Sequence, residues 1–172
     1  MRIENPADAP ELYTVCFVCT GNICRSPLAE AVFERMLRDA GVDHAVGVLS
    51  AGTGSWHRGE PLDKRAQASL LRGGYPEFEH RARRFDPGWF DSVDLVVALD
   101  RTHQRALTNW AKSDTDRNKI HLLLGFDPEQ AALVDVPDPY YSDDRAFDRV
   151  LATVEQASQS LLRHVRSELA LD

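Results

Sequence analysis

The chain is poor in cysteine: Cys16, Cys19 and Cys24 are the only three in 172 residues. An odd count packed into one short stretch excludes a disulfide framework. It fits a reducing compartment, and the cytoplasm is the expected location. Positive charge is also scarce, with 20 Lys and Arg against 27 Asp and Glu and a formal net charge of −7. No basic stripe stands out, so a nucleic-acid partner is not expected. No apolar run is long enough to cross a bilayer, and residues 1–11 lack the apolar stretch of a signal peptide, so neither membrane contact nor signal-driven export is expected. A signal-independent export route would leave no trace of this kind. The nucleotide-binding pattern G-x-x-x-x-G-K-S/T is missing. The six histidines (44, 57, 80, 103, 121 and 164) are scattered, with no paired spacing near the thiols. A metal site is therefore not expected.

What is present suits one folded domain over residues 12–172, preceded by a polar, proline-containing tail over 1–11. Tyr13 to Val18 reads as a buried strand. Leu28, Ala29, Val32, Phe33, Met36, Leu37 and Ala40 repeat as on an amphipathic helix closed by Gly41. A second strand is expected over Val46 to Ser50. A helix follows from Asp63, with Ala66, Leu70 and Leu71 inward and Gly73-Gly74 as its stop. Leu95 to Leu99 and Ile120 to Leu124 read as strands, with a helix over Thr102 to Trp110 between them. Phe147, Val150, Leu151, Val154, Leu161, Leu162, Val165 and Leu169 mark a long last helix. Alternating strands and helices predict an α/β fold, a parallel sheet with helices on both faces. Ligands in such sheets bind at the carboxyl ends of strands, where Cys19 falls.

The stretch Cys19-Thr20-Gly21-Asn22-Ile23-Cys24-Arg25-Ser26-Pro27 carries the chemistry. A strand ending in a thiol leads through a short loop into a helix start. The backbone N–H groups of Thr20 to Arg25 can turn inward as an anion nest, and the helix N-terminus adds orphan donors and positive potential. Arg25 can close the ring with a planar guanidinium matched to two phosphate oxygens. The same field favours a thiolate at Cys19. A blander reading makes Cys19 a packed small residue and Arg25 a surface charge. It leaves unexplained a glycine, an asparagine tolerant of the left-handed region, an N-cap serine (Ser26) and a proline at the first helical position, all in register. Alternation puts Cys16 on the face opposite Cys19.

Cleaving a phosphate monoester through a thiol also needs a proton donor for the leaving oxygen. Asp138, between Pro137 and Pro139, has a restricted backbone that could hold a carboxylate over the pocket. From local sequence alone, a simple turn former is an equal reading.

The loop residues resemble the signature of the low-molecular-weight protein tyrosine phosphatases, bacterial type. The resemblance covers nearly the whole chain after residue 12. It includes Ser50-Ala51-Gly52-Thr53, Trp56-His57, Gly59, Pro61, Asp63, Arg65, His80-Arg81-Ala82-Arg83, Leu99-Asp100 and Asp138-Pro139-Tyr140-Tyr141. It implies a three-layer sandwich around a four-stranded parallel sheet of order 2-1-3-4, and hydrolysis of phosphotyrosine through a phosphocysteine on Cys19 without a cofactor. It assigns phosphate binding to residues 20–25 and the acid role to Asp138. Ser26 would cap the helix and donate to the Cys19 sulfur. Asn22 would be held in a strained conformation by Ser50 and His80. Trp56, His57, Tyr140 and Tyr141 would wall a pocket deep enough to favour phosphotyrosine; for Trp56, a loop anchor is nearly as good a reading. Trp89 and Trp110 match no motif and read as packing residues. Cys24 could trap an oxidised Cys19 as a reversible disulfide; equal recovery of Cys24→Ser and wild type after peroxide and reductant would count against it.

The expected partners are tyrosine-phosphorylated proteins, a cognate tyrosine kinase among them, with inorganic phosphate and other oxyanions as inhibitors. The expected state is a monomer. Two rival activities share the loop. Arsenate reduction generally needs relay cysteines downstream, and none follows Cys24. Protein-arginine phosphatases tend to carry Thr where this chain has Ile23, and lack the paired tyrosines.

Overall fold

A computed structural model describes residues 1–171; the expected domain end at 172 lies one residue outside them. The strands are β1 (Tyr13–Cys19), β2 (Val46–Gly52), β3 (Leu95–Ala98) and β4 (Ile120–Leu122). The helices are α1 (Arg25–Asp39), α2 (Lys64–Arg72), α3 (Arg101–Trp110), the short α4 (Asp114–Arg117) and α5 (Asp144–Glu168). The sheet order is β2-β1-β3-β4 and every pairing is parallel.

Central β1 is buried on both faces from Thr14 to Cys19, which is why it reads as a near-continuous apolar run. Its alternation splits the core in two. Val15, Phe17 and Cys19 face the layer of α1, α2 and α5, whereas Cys16 and Val18 face α3 and the turn at Pro87–Asp91. Phe17 meets Phe33 of α1 edge to face with ring centroids 5.7 Å apart. Truncating a side chain so placed costs about 3–5 kcal/mol. Phe85, Trp89, Phe90 and Trp110 form an aromatic group on the opposite layer.

Several local expectations are corrected. Helix α1 starts at Arg25 with Cys24 as its cap residue, so Ser26 is inside the first turn and does not serve as N-cap. Pro27 is the third helical residue, still among the positions whose N–H has no helical partner. Leu71 points outward at 53% exposure, because α2 ends at Arg72 and its inner stripe is set by Ala66 and Leu70. Strand β4 stops at Leu122, and Leu123 and Leu124 belong to a buried 3₁₀ turn.

Residues 1–11 do not hang free as a tail. Ile3 donates to Val48 O at 3.0 Å and Val48 N donates to Met1 O at 2.9 Å, covering the open edge of β2. Ile3, Ala9 and Leu12 are buried, and Asn5 caps a 3₁₀ turn at Pro6–Asp8. Among the described residues no helix is long and apolar enough to cross a membrane.

Candidate active site

The carboxyl end of β1 opens into the loop Thr20–Cys24, and α1 begins where the loop ends. One pocket is lined by Cys19, Thr20, Gly21, Ile23, Cys24, Arg25, Trp56, His57, Asp138, Tyr140 and Tyr141. Three separated stretches of chain thus converge on the thiol. Asn22 within the loop, and Ser26, Ser50 and His80 behind it, do not line the pocket.

Asn22 takes a left-handed backbone with φ of 56°. Asparagine tolerates that region better than most residues, and here four hydrogen bonds fix it. Its amide donates to Ser26 Oγ at 2.9 Å and Ser50 Oγ at 3.0 Å. Its side-chain oxygen accepts from Arg83 N at 3.0 Å, and its carbonyl accepts from His80 Nε2 at 2.6 Å. Burial lowers the His80 pKa to about 4, so the ring is neutral and donates its one N–H to that carbonyl. Ser50 Oγ, having accepted from Asn22, donates to Glu30 Oε2 at 2.5 Å. A buried carboxylate therefore anchors the network from below. Burial pushes the Glu30 pKa up and the Arg2 guanidinium opposes it.

Ser26 Oγ lies 3.0 Å from Cys19 Sγ and 3.1 Å from Ala51 O. The hydroxyl has a single proton for two acceptors, so it can turn toward the sulfur when negative charge develops there. Cys24 and Cys16 have thiols pushed up by burial, which holds both protonated.

Arg25 is 3% exposed and held along one edge. Its Nη1 donates to Asp100 Oδ2 and to Val136 O, both at 2.8 Å. Its Nη2 lies between His103 Nε2 at 3.4 Å and Asp138 Oδ2 at 3.6 Å. Burial works to raise the Asp100 pKa, but hydrogen bonding from Arg25 and the nearby charges hold it below the usual range. Asp100 also caps α3, accepting from the N–H groups of Thr102 and His103. His103 is fully buried, and its Nδ1 accepts from Asp100 N at 3.1 Å. Burial first, then the Arg25 charge, lowers its pKa to about 4. Nε2 of the neutral ring lies 2.8 Å from Thr20 Oγ1 and 3.4 Å from Arg25 Nη2. No sequence pattern marks this pair as site residues: Asp100 is only a position matched by the family resemblance, and His103 is one scattered histidine among six.

The walls are built differently. A methyl group at Gly21 would sit 2.7 Å from His57 Cδ2, so the imidazole lies directly on the loop backbone. His57 Nδ1 pairs with Glu60 Oε2 at 2.7 Å, and its ring is 6.0 Å from that of Tyr140. Tyr140 and Tyr141 meet edge to face at 4.9 Å. Trp56 and Tyr141 are 74% and 94% exposed. Asp138 is half exposed, and its Oδ1 accepts from Tyr140 N at 3.1 Å. Arg65 ties this loop to the start of α2: it chelates Asp63 and donates to Tyr140 O at 2.8 Å. Asp135, by contrast, is engaged by Arg101 and does not line the pocket.

The chain matches the family model described as "Low molecular weight phosphotyrosine protein phosphatase" over residues 14–171. It is 51% identical to a low molecular weight protein-tyrosine-phosphatase of Streptomyces coelicolor over 158 residues, 91% of this chain and 96% of the relative. Identity is 44% to a low molecular weight protein-tyrosine phosphatase A of Mycobacterium tuberculosis, covering 91% and 93% of the two chains. Among solved structures, the protein tyrosine phosphatase of Entamoeba histolytica superposes with a TM-score of 0.83 at 29% identity, covering 92% of this chain and 98% of the other.

Proposed function

Since the chain belongs to the low molecular weight phosphotyrosine protein phosphatase family, we propose that it hydrolyses phosphotyrosine in proteins through a phosphocysteine on Cys19. The observation that carries this reading is the placement of Cys19, with Ser26 Oγ at 3.0 Å, in a pocket shared with Arg25 and Asp138.

In the first step the Cys19 thiolate attacks phosphorus, a sulfur–phosphorus bond forms, and the bond to the phenolic oxygen breaks. Asp138 gives that oxygen a proton, so a neutral phenol departs. The loop N–H groups and Arg25 stabilise the three equatorial oxygens. In the second step Asp138 takes a proton from water, whose oxygen attacks phosphorus. The sulfur–phosphorus bond breaks, orthophosphate leaves, and Ser26 stabilises the returning thiolate. The walls of His57, Tyr140 and Tyr141, with Trp56 at the rim, suit a planar ring carried at the depth of a tyrosine.

The test is phosphate release from a phenyl phosphate ester and a phosphotyrosine peptide by wild type, Cys19→Ser and Asp138→Ala. Activity should fall at least about 10⁴-fold in Cys19→Ser and about 10²–10⁴-fold in Asp138→Ala. Undiminished turnover by Cys19→Ser would sink the thiol mechanism. Wild-type activity on phosphoarginine without activity on phosphotyrosine would replace the substrate.

A further inference from the structure

The family match begins at residue 14, yet residues 2–4 reach the scaffold of the phosphate loop by two routes. In the first, Arg2 Nε donates to Glu30 Oε1 at 2.8 Å, and Glu30 Oε2 accepts from Ser50 Oγ at 2.5 Å. Ser50 Oγ in turn accepts from Asn22, the left-handed residue of the loop. In the second, Arg83 Nη1 donates to Glu4, to its carbonyl and, at 3.0 Å, to its carboxylate. The same Arg83 donates through Nε to Ser50 O at 3.0 Å and through its backbone N–H to Asn22 Oδ1 at 3.0 Å. The Arg2 guanidinium also lies over the ring of Phe78, 4.2 Å from its centroid, which fixes its place.

Glu30 is the critical link. Its side chain is 1% exposed, and Arg2 is the cation that pairs with it. A buried carboxylate stripped of its cation either takes a proton or turns toward water, and both change what it accepts from Ser50. We infer that Arg2 is a positioning residue for phosphate binding, acting through Glu30 and Ser50 on Asn22, and that residues 1–4 are a brace of the phosphate loop. The inference rests on the reading of residues 19–25 as the phosphate site.

Direct calorimetry with inorganic phosphate tests it, using the full chain at a temperature where each variant is folded. Arg2→Ala should weaken phosphate binding about tenfold. Adding Glu30→Gln to Arg2→Ala removes the unpaired charge while keeping an acceptor for Ser50, and should restore most of the loss. A purely structural role for Arg2 would lower stability and leave the phosphate affinity of the folded protein unchanged. Wild-type affinity in Arg2→Ala, or a double variant no tighter than Arg2→Ala, overturns the inference. If Arg2→Ala does not fold, the double variant decides: near-wild-type phosphate affinity supports the inference, and weak binding or failure to fold overturns it. A wild type that binds no phosphate would overturn the reading of the loop, and this one with it.

Discussion

The floor of the pocket and its rim are made by opposite means. On the floor, Cys19, Asn22, Arg25, Ser26, Ser50 and His80 are all buried, and each of these side chains has a protein partner at hydrogen-bond distance. At the rim, Trp56 and Tyr141 stand mostly in solvent, and Asp138 is met by one backbone N–H and by Arg25 at 3.6 Å. In the proposed reaction charge develops on the floor, and donors held in place before reaction need no reorganisation. A rim that meets protein substrates, as proposed, gains from exposed aromatic rings, which give contact area at low entropic cost. Rigidity is thus spent where the transition state is fixed and withheld where the substrate varies.

Acid should separate the two regions most sharply. His80 and His103 are neutral and buried beneath the loop, with pKa values of about 4. An unfolded chain binds their protons at about 6.5, so stability is complete above that pH and is lost as pH falls toward 4. Each histidine should cost about 3 kcal/mol across that window. Urea unfolding at pH 7 and pH 4.5 measures the loss, and His103→Gln should show a shallower acid limb than wild type. An unchanged limb would mean that His103 is protonated in the folded protein.

Asn22→Ala should strike the floor alone. It removes three side-chain hydrogen bonds and puts alanine at φ of 56°, a cost of about 2–3 kcal/mol in stability. Displacing the loop amides should lower kcat/KM about 10²-fold. Thermal melts and steady-state kinetics check both, and a kinetically silent variant would contradict the role given to the left-handed turn.

Tyr141→Ala should touch the rim alone. Stability should stay within about 0.5 kcal/mol. KM for a phosphotyrosine peptide should rise about fivefold through lost ring contact, with kcat unchanged. A fall in kcat would show that the ring also sets the position of neighbouring Asp138.

The sequence was most legible where chemistry and chain order coincide. Cys19 and Arg25 flank one short loop, so their spacing carries the geometry. The alternation of β1 separated Cys16 from Cys19, and the layers of the core follow it. Legibility failed where partners meet only through the fold. Asp100 and His103 reach the loop because β3 lies beside β1, which no local pattern of residues 100–103 announces. Ser26 looked like a cap because serine before a proline usually is one; the sulfur and Asn22 claim its hydroxyl instead. Arg2 and Ile3 were hidden in a polar segment whose attachment depends on β2 being the sheet edge.

The contact between Gly21 and His57 has a dimensional consequence. With 2.7 Å between the ring carbon and the place a methyl would occupy, a hydrogen on the loop sets how far inward that wall can lean. The aperture is therefore gauged against the backbone proposed to hold the phosphate, so a ring's girth and its phosphate's depth would be measured from one reference point. Widening the entrance would have to begin at residue 57. A side chain at residue 21 would move the gauge itself.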